Sequence, residues 1–542
     1  MKKYRLVLDI VILMVCTFVY MSYHIGRFSL GPDQMHQYAT AKQLSLGNGI
    51  SLPSVNYQDV SVPEYIGHNE FAPGLAVLSA PLFLIFDNYR IVDFILVVIL
   101  DATFLLLTIL LLKRLFRRNL KLNEITLIVS FFTISYSLLL GESISDMICL
   151  NCFVLSVIMI MRYIENKRLI FLVLCCLLVS VTAYFRYAYL AALLVIPCFF
   201  IYRIVFGKTK EFKDLVLSIC FLLVFSSVFL GHILYLNSQT GYVSSQSSVK
   251  GLYLENIVQA NPFPMNSFFN HNIVLKIIGY SSDNIDRGYV YPNWIHFCFY
   301  AISLVLLIPV VYFFGLKRKD PKIKEYGAMS YMLIFSLGLL GLVYVASIIN
   351  PSVTDDYIWS WAQVGRYYMT PCYCIIICYF ISVFNGDTYS KYVKWFCFAI
   401  IGASLLFNAS IIGRNYFVNY KPFDIYHNMS IMRSNNSLCN SYDLNKYFSG
   451  IKGYKVAMID DSYSDKLFKA DMFLNLANTS AIYSDNPNIM TLKTSKPYDV
   501  YIITGEDRSD EIENVFNKYD VIEVCDLNDN IRIYKYTLTT ND

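Results

Sequence analysis

The sequence predicts a polytopic α-helical membrane protein with about eleven spanning helices and a C-terminal extracytoplasmic α/β domain. Of its 542 residues, 56% are hydrophobic and only 15% are charged, whereas a soluble domain carries roughly 25% charged residues. Apolar runs recur between residues 6 and 412, and shorter alternating segments replace them beyond about residue 414. These observations exclude a small cytosolic enzyme, a coiled coil and a disordered scaffold.

Each predicted span is an apolar run of close to the ~20 residues that a helix needs to cross the hydrocarbon core. The first run follows the basic start Met1-Lys-Lys-Tyr-Arg5. No small-residue cleavage site comes after it, so we expect it to remain as an anchor. The eleven runs cover residues 6–24, 91–112, 125–141, 145–161, 169–185, 187–206, 215–236, 293–315, 328–349, 367–385 and 392–412.

The run at residues 71–86 is not counted as a span, because it is short and contains Pro73, Gly74 and Pro81. Without it, the short loops on the N-terminal side of the membrane carry 22 Lys and Arg residues, against 8 on the opposite side. Basic loops face the cytoplasm. The charge distribution therefore predicts an inner N-terminus and an outer C-terminal tail.

Two parts are predicted along the chain. Residues 1–413 form the transmembrane bundle, with long outer loops at residues 25–90 and 237–292, and residues 414–542 form a soluble α/β domain. The bundle has a formal charge of about +8 and the tail of about −4, which does not suit nucleic acid as a partner. The inner loops are short and lack a Gly-rich phosphate loop, so we expect the chemistry on the outer face.

The tail alternates β-branched with amphipathic segments, which is typical of a small α/β domain. Its two cysteines, Cys439 and Cys525, can pair only if the tail is extracytoplasmic and their geometry permits it. We expect the domain to pack against the bundle or to contact the acceptor. Strands are predicted at residues 456–459, 500–504, 521–524 and 531–536, and helices at residues 465–477 and 507–519.

Acidic side chains near the outer face are the first candidates for chemistry. Asp33 comes soon after the first span, just before a helical pattern, and its alternative role is a helix N-cap. Glu142 and Asp146 lie four residues apart in a short outer turn. Their alternative role is compensation of a helix dipole.

Basic and aromatic candidates lie on the same predicted side. His68 opens the segment His68-Asn-Glu-Phe-Ala-Pro73, Arg186 separates two spans, and Arg366-Tyr-Tyr-Met-Thr-Pro371 opens the tenth. A single arginine at an outer turn can simply reach lipid phosphate. Two arginines that converge with carboxylates would instead form a phosphate clamp beside a general base.

Two further acidic residues, Asp93 and Asp101, fall inside the second span. A carboxylate at that depth needs a buried polar partner. His232 is one candidate partner, and the sequence leaves the choice open.

The order of these features resembles the GT-C superfamily of membrane glycosyltransferases, especially protein O-mannosyltransferases and lipid A aminoarabinose transferases. In that family an acidic motif follows helix one, as Asp33 does, and a proline-containing interfacial segment follows, as at His68 to Pro73. An acidic residue in the second outer turn is matched by Asp146 or Glu142. An Arg-Tyr-x-x-x-Pro start of a late helix is matched at Arg366, and a C-terminal extracytoplasmic α/β domain is common in the family.

The resemblance implies transfer of a sugar from a polyprenyl-phosphate donor to a glycan, lipid or protein acceptor on the outer face. Asp33 is implied as the base that deprotonates the acceptor hydroxyl, with His36 as a rival on the next helical turn. Asp146 and Glu142 are the other implied catalytic residues. The implied contacts of the donor phosphate are Arg366, Arg186, Tyr367 and His68.

The sequence itself requires no metal or other cofactor. A divalent metal stays open, because the family often has two acidic residues where this chain has Asp33-Gln34. Two other classes of protein also stay open. One is a polymerase or ligase of lipid-linked glycans, which would use arginines and the loop at residues 237–292. The other is a lipid or glycan transporter, which would show discontinuous helices in paired halves. The predicted location is the bacterial plasma membrane.

Overall fold

The structure, a computed structural model, divides into two compact units. The first unit comprises Met1–His24, Ile95–Leu234 and Ser244–Asn415, and the second comprises Ile25–Phe94, Tyr235–Val243 and Tyr416–Asp542. The second unit thus joins the predicted first outer loop to the tail. The residues that the structure describes are 2–26, 32–68, 70–135, 144–207, 209–240, 252, 254, 261–279, 293–316, 325–349, 353–354, 357–358, 365–384, 390–414, 424–432, 437–467, 469–484, 492–505, 522–527 and 531–539.

Most of the chain before the tail is helical. A π-helical turn at Phe131–Ser135 extends α5, and 3₁₀ segments at Tyr187–Leu194 and Gly365–Tyr368 precede α8 and α15. Short two-stranded ribbons join β1 (Ser51–Ser54) to β2 (Glu64–Gly67) and β3 (Val353–Thr354) to β4 (Tyr357–Ile358). The helices are α1 (Lys2–Gly26), α2 (Pro32–Ser45), α3 (Gly74–Ile85), α4 (Tyr89–Phe116), α5 (Leu122–Ser130), α6 (Ile144–Asn166), α7 (Leu169–Phe185), α8 (Val195–Val205), α9 (Phe212–Thr240), α10 (Phe263–Asn266), α11 (His271–Ile277), α12 (Asn293–Leu306), α13 (Ile308–Leu316), α14 (Glu325–Ile349), α15 (Met369–Phe384) and α16 (Lys391–Arg414).

The prediction of a polytopic helical membrane protein is confirmed, and each of the eleven predicted spans coincides with an apolar helix among the described residues. Seven helices are long and apolar enough to cross a membrane, and α12 with α13 forms a bent eighth. Three more predicted spans coincide with apolar helical segments at Leu6–Phe18, which lies within the 25-residue α1, and at Leu122–Ser135 and Leu169–Phe185. The proline-interrupted α3 has 12 residues and is too short to span.

Aromatic side chains form the core of the first unit around α15, which is buried from Met369 to Val383. The ring centroid of Tyr373 lies 5.5 Å from that of Phe104 and 5.9 Å from that of Phe132. Its hydroxyl lies 3.2 Å from Oγ1 of Thr108, so the buried phenol has a hydrogen-bond partner. This core fixes the start of α15, which directly follows the 3₁₀ segment that contains Arg366 and Tyr367.

Ion pairs cluster where α6 ends and α7 begins, a region that we call the ion-pair end. Both guanidinium nitrogens of Arg118 lie 2.7 Å from the carboxylate of Glu124. Glu211 accepts hydrogen bonds from Nε and Nη2 of Arg203 and, at 2.8 Å, from Nζ of Lys167. Burial alone would raise the pKa of Glu211, but hydrogen bonds from these two cations outweigh it and lower that pKa to about 2.

The tail forms a five-stranded mixed sheet in the order β6-β5-β7-β9-β8. The central strand β5 is parallel to β6 and β7, and β9 is antiparallel to both β7 and β8. Helices α18 and α19 supply Leu444, Phe448 and Leu474 to the core on one face of the sheet. The elements of the tail are α17 (Ile425–Met432), α18 (Ser437–Ser449), β5 (Lys455–Asp460), α19 (Ala470–Leu476), β6 (Thr479–Ser484), β7 (Tyr498–Gly505), β8 (Ile522–Leu527) and β9 (Ile531–Leu538).

The first outer loop covers the other face of the sheet. Val55 and Val60 are buried in one cluster with strand residues that include Val456 and Val500. The backbone N–H of Val60 donates to the carbonyl of Lys493 at 2.9 Å. Because an edge of the loop and a face of the sheet bury each other's apolar surface, they stabilise each other.

The predicted α/β class of the tail is confirmed, with two differences. All four predicted strands are present, each longer than predicted. The sequence missed α17, α18 and the edge strand β6. The helix predicted at residues 465–477 is the shorter α19, and the helix predicted at residues 507–519 lies outside the described residues. Cys439 and Cys525 are both free thiols in the structure.

Candidate active-site residues

Asp146 and Arg186 meet at the end of the first unit opposite the ion-pair end. Asp146 lies in the first turn of α6 and Arg186 directly follows α7, and these helices are antiparallel neighbours. Nε of Arg186 lies 3.1 Å from Oδ1 of Asp146, and the two side chains are 8% and 0% exposed. The pairing exists because the turn between consecutive helices places the start of one beside the end of the other.

The carboxylate of this buried ion pair has few hydrogen bonds. Among the described residues, neither carboxylate oxygen of Asp146 accepts a hydrogen bond of good geometry, although the distance to Arg186 is that of an ion pair. Desolvating two charges costs several kcal/mol per ion, and only ideal geometry with further hydrogen bonds offsets that cost. A contribution to stability therefore does not explain why this pair is buried.

The ring of Tyr367 contacts both Arg186 and Arg366. Cζ of Arg186 and Cζ of Arg366 each lie 5.5 Å from the centroid of the Tyr367 ring, within cation–π range. Tyr367 is 6% exposed. The structure thus groups four of the eight predicted site residues, and we call Asp146, Arg186, Arg366 and Tyr367 the Arg–Tyr cluster.

Neighbouring side chains hold the turn that carries Arg366 and Tyr367. The ring of Tyr368 stacks on that of Phe263 at 5.4 Å, and Sγ of Cys372 donates to the Phe263 carbonyl at 3.3 Å. The hydroxyl of Tyr189 lies 3.2 Å from Oγ1 of Thr370. Sequence reasoning missed these supporting residues, because each is an ordinary apolar or aromatic residue in its own segment.

A pair of histidines forms a second group, in the second unit. The rings of His36 and His68 stack with centroids 5.3 Å apart and planes 20° apart. Phe71 lies 5.8 Å from His36 and 6.0 Å from His68. Nδ1 of His36 and Nε2 of His68 are buried without a hydrogen-bond partner among the described residues.

The surroundings of both histidines favour the neutral imidazole. Burial, with a smaller contribution from His36, lowers the pKa of His68 to about 4. Burial also lowers the pKa of His36, against the opposing effect of Glu70 and Asp471. A neutral imidazole can donate a hydrogen bond to a phosphate but brings no positive charge to it, so the arginines suit that role better than His68.

The remaining acidic candidates have separate surroundings. Asp33 lies inside the first turn of α2 rather than ahead of it, and Glu142 is outside the described residues. Asp93 accepts hydrogen bonds from the amide of Gln34 and, at 2.9 Å, from the hydroxyl of Tyr38.

Two further polar side chains, His232 and Asp101, lie inside the predicted spans. His232 is not the polar partner of Asp93. Its Nδ1 lies 2.7 Å from the hydroxyl of Tyr184. Asp101 is buried. The described part of the chain contains no group of three or more His, Cys, Asp or Glu side chains that could hold a metal ion.

Solved structures similar to this chain are membrane glycosyltransferases. ArnT from Cupriavidus metallidurans in the apo state is 9% identical, with a TM-score of 0.45 and 97% of each chain covered. ArnT bound to undecaprenyl phosphate is 10% identical, with a TM-score of 0.44 and the same coverage. The oligosaccharyltransferase AglB from Archaeoglobus fulgidus, in complex with an inhibitory peptide and a dolichol-phosphate, is 10% identical, with a TM-score of 0.46. That match covers 94% of this chain and 70% of AglB.

ArnT and AglB are members of the GT-C superfamily, which is the family that the sequence resembles. No family profile and no curated protein sequence matches the chain. Likeness at this level of identity and TM-score describes similar architecture and assigns no activity. The residues of this chain must therefore carry any assignment of its function.

Proposed function

We propose that this protein is a glycosyltransferase that moves a sugar from a polyprenyl-phosphate donor to a hydroxyl-bearing acceptor on the outer face of a membrane. The observation that carries the proposal is the Arg–Tyr cluster, in which two guanidinium groups share the Tyr367 ring at one end of an apolar helical bundle. A lipid phosphate needs both features, because its prenyl chain requires apolar surface and its head group requires fixed cations.

The chemistry follows from the donor. The bond between the sugar's anomeric carbon and the phosphate oxygen breaks, and the phosphate leaves with the electron pair. The acceptor oxygen forms the new bond to the anomeric carbon, and its proton passes to a base. Arg186 and Arg366 stabilise the charge that develops on the departing phosphate, which is the role of preorganised donors in a dry site.

Within this proposal Asp146 acts through Arg186. Its buried carboxylate lies against the arginine's Nε, so it fixes the orientation of the guanidinium group. Asp33 and His36 remain the two candidates for the base, as the sequence predicts. A base typically contributes about 10² to 10⁴ in rate.

The decisive experiment measures binding of undecaprenyl phosphate to the purified full-length protein in nanodiscs, with undecaprenol, which lacks the phosphate, as the reference lipid. Losing a hydrogen bond to a charged group costs about 1.5–3 kcal/mol. Arg366→Ala and Arg186→Ala should therefore each weaken phosphate binding by about ten- to a hundred-fold. Undecaprenol should bind equally to all variants.

Arg114→Ala is the matched control, because it removes the same side chain at the ion-pair end, where Arg114 pairs with Glu165. It should leave the affinity for both lipids unchanged. Equal affinity of wild type for undecaprenyl phosphate and undecaprenol would reject the proposed donor. Sugar transfer that persists at a normal rate in both Asp33→Asn and His36→Gln would favour a polymerase or ligase that needs no base from the first loop.

A further inference from the structure

Part of the second predicted outer loop is buried inside the first unit. Residues 261–275, which we call the buried segment, contain the short α10 and most of α11. Helix α10 packs against α12, α15 and the 3₁₀ segment at Gly365–Tyr368. Met265 and Phe268 are only 3% and 1% exposed. Connecting loops usually run over the surface of a protein, whereas this stretch is packed among the helices of the bundle.

The carbonyl of Phe268 marks how deep the buried segment reaches. It accepts hydrogen bonds from Oγ of Ser404 at 2.7 Å and from Nδ2 of Asn408 at 2.9 Å. Ser404 lies near the middle of the 24-residue α16, which is one of the helices long enough to cross a membrane. At the rise of an α-helix, Ser404 is about 15 Å from the end of α16 at Arg414. Because the hydrocarbon core is roughly 30 Å thick, the carbonyl of Phe268 lies about halfway through it.

Aromatic contacts fix Phe268 at this depth. Its ring centroid lies 4.4 Å from that of Tyr379 and 6.0 Å from that of Phe131. Phe131 opens the π-helical turn that extends α5. The hydroxyl of Tyr379 donates to the carbonyl of Leu306 at 2.9 Å, beside the 40° bend between α12 and α13. Irregular backbone is tolerated at membrane depth where it is buried in protein, and three irregular stretches meet around this one side chain.

The polar groups of the buried segment find partners within it. Oδ1 of Asn261 accepts a hydrogen bond from Nδ2 of Asn266, and Oδ1 of Asn266 accepts one from the backbone N–H of His271 at 2.7 Å. The backbone amides of residues 265–269 donate to carbonyls three or four residues earlier. A chain that leaves water needs such internal partners, so these bonds suit a position inside the membrane.

The other end of the buried segment holds the turn that carries Arg366 and Tyr367. The ring of Phe263 stacks on that of Tyr368 with planes 12° apart, and the carbonyl of Phe263 accepts a hydrogen bond from Sγ of Cys372. Tyr368 directly follows Tyr367 in the same 3₁₀ segment. The hydrogen-bonded turns between Phe263 and the deep carbonyl therefore connect the middle of α16 to the Arg–Tyr cluster.

We propose that the buried segment is re-entrant, entering the membrane on the side of the Arg–Tyr cluster and returning to that side, and that Ser404 and Asn408 are the positioning residues that hold it. This inference rests on the proposed function, because the site that the segment positions is the lipid-phosphate site. Ser404 and Asn408 act through the carbonyl of Phe268 rather than on the phosphate. The segment in turn holds the turn of Arg366 and Tyr367 in place.

Hydrogen–deuterium exchange of the full-length protein in nanodiscs, read by mass spectrometry, tests the placement. Helices of four and seven residues, such as α10 and α11, are not stable by themselves in water. The backbone amides of residues 265–275 should nevertheless exchange as slowly as those around Ser404. Exchange within seconds, as in a solvated loop, would overturn the re-entrant placement and leave the proposed function untouched.

A double variant, Ser404→Ala with Asn408→Leu, tests the positioning role, because it removes both donors to the carbonyl of Phe268. Each neutral hydrogen bond is worth roughly two- to ten-fold in an equilibrium constant. The double variant should therefore speed exchange of residues 265–271 by about ten-fold and weaken binding of undecaprenyl phosphate by about the same factor. Binding of undecaprenol should stay as in wild type, since the phosphate site alone is disturbed.

Two single variants serve as controls. Ser410→Ala removes a hydroxyl on the exposed face of α16, where it donates to the carbonyl of Phe407. Ser156→Ala removes a buried hydroxyl that lies 3.1 Å from that of Tyr331, so it matches the loss of a buried hydrogen bond elsewhere in the unit. Both variants should bind the two lipids as wild type does.

Three results would overturn the positioning role. One is unchanged affinity for undecaprenyl phosphate in the double variant, and another is an equal loss of affinity for undecaprenol. The third is a loss of the same size in Ser156→Ala, which would assign the effect to lowered stability. A wild type that binds both lipids equally would instead reject the proposed function, and the exchange data would still decide whether the segment is re-entrant.

Discussion

The two ends of the α6–α7 helix pair use the same residue types in different ways. At the ion-pair end, Glu211 accepts two hydrogen bonds from Arg203 and one from Lys167. Arg118 binds Glu124 with both terminal nitrogens. The two carboxylates are each 9% exposed, but every one of these cations is partly exposed and keeps part of its hydration.

At the other end, Asp146 is fully buried beside Arg186, and neither of its carboxylate oxygens accepts a hydrogen bond of good geometry from the described residues. Both arginines of this end also contact the ring of Tyr367. A buried carboxylate without such hydrogen bonds lowers the stability of the fold.

The difference separates structure from function. Charges that serve stability are bidentate, multiply bonded and close to solvent, as at the ion-pair end. Charges retained at a net cost to stability are expected where a ligand completes them. The carboxylate of Asp146 fits the second description, and three predictions test the contrast between the two ends.

The largest effect is expected from breaking the buried pair. Arg186→Met leaves Asp146 buried and uncompensated, which should lower the free energy of unfolding by about 3–5 kcal/mol. The double variant Arg186→Met with Asp146→Leu should recover most of that loss, because it removes both desolvated charges. Thermal unfolding in detergent measures both, and the recovered double variant should still bind undecaprenyl phosphate about ten- to a hundred-fold more weakly than wild type. A double variant no more stable than the single one would show that the pair is not a desolvated ion pair.

An intermediate effect is expected at the ion-pair end. Glu211→Gln should lower the free energy of unfolding by about 1–3 kcal/mol and leave lipid-phosphate binding intact. The folded-state pKa of Glu211 is about 2, below its ordinary 4.5, so its ionised form stabilises the fold above pH 4.5. That contribution is lost as the pH falls from 4.5 towards 2. If wild type and Glu211→Gln differed in free energy of unfolding by the same amount at pH 7 and at pH 2, the ionised carboxylate would not be the source of the stability.

The smallest effect is expected from Lys167, which is 47% exposed and contacts Glu211 and Asp214. Exposed ion pairs contribute about 0.2–1 kcal/mol and are screened by salt. Lys167→Met should therefore change stability by less than about 1 kcal/mol, and the change should shrink between 50 mM and 1 M salt. A larger, salt-independent loss would mean that the ion-pair end is as dry as the Arg–Tyr cluster.

Several features of the site could be predicted from single segments. Arg186 and Arg366 each interrupt or open an apolar run, so the sequence alone places them at helix ends. Asp146 falls in the first turn of its helix, as its position in a short outer turn predicts. The shared contact with Tyr367 could not be predicted, because it joins helices separated by about 180 residues.

The second unit shows the same limit. The alternation of the tail predicts its strands, since period-two patterns are local. The edge strand β6 was missed because its sequence, Thr479 to Ser484, is short and largely polar. The His36–His68 stack was missed because neither histidine belongs to a periodic pattern or a spaced motif.

The sequence by itself determined where the apolar helices lie and which segments form strands, and its basic residues predict the orientation in the membrane. These are properties of contiguous residues, set by hydropathy, periodicity and charge. Only the tertiary structure decided that Asp146 pairs with Arg186, that two arginines share Tyr367, and that Val55 and Val60 are buried on a sheet that begins at Lys455. Such contacts depend on bringing distant segments together, and the chain carries no local signal for which partners then fit.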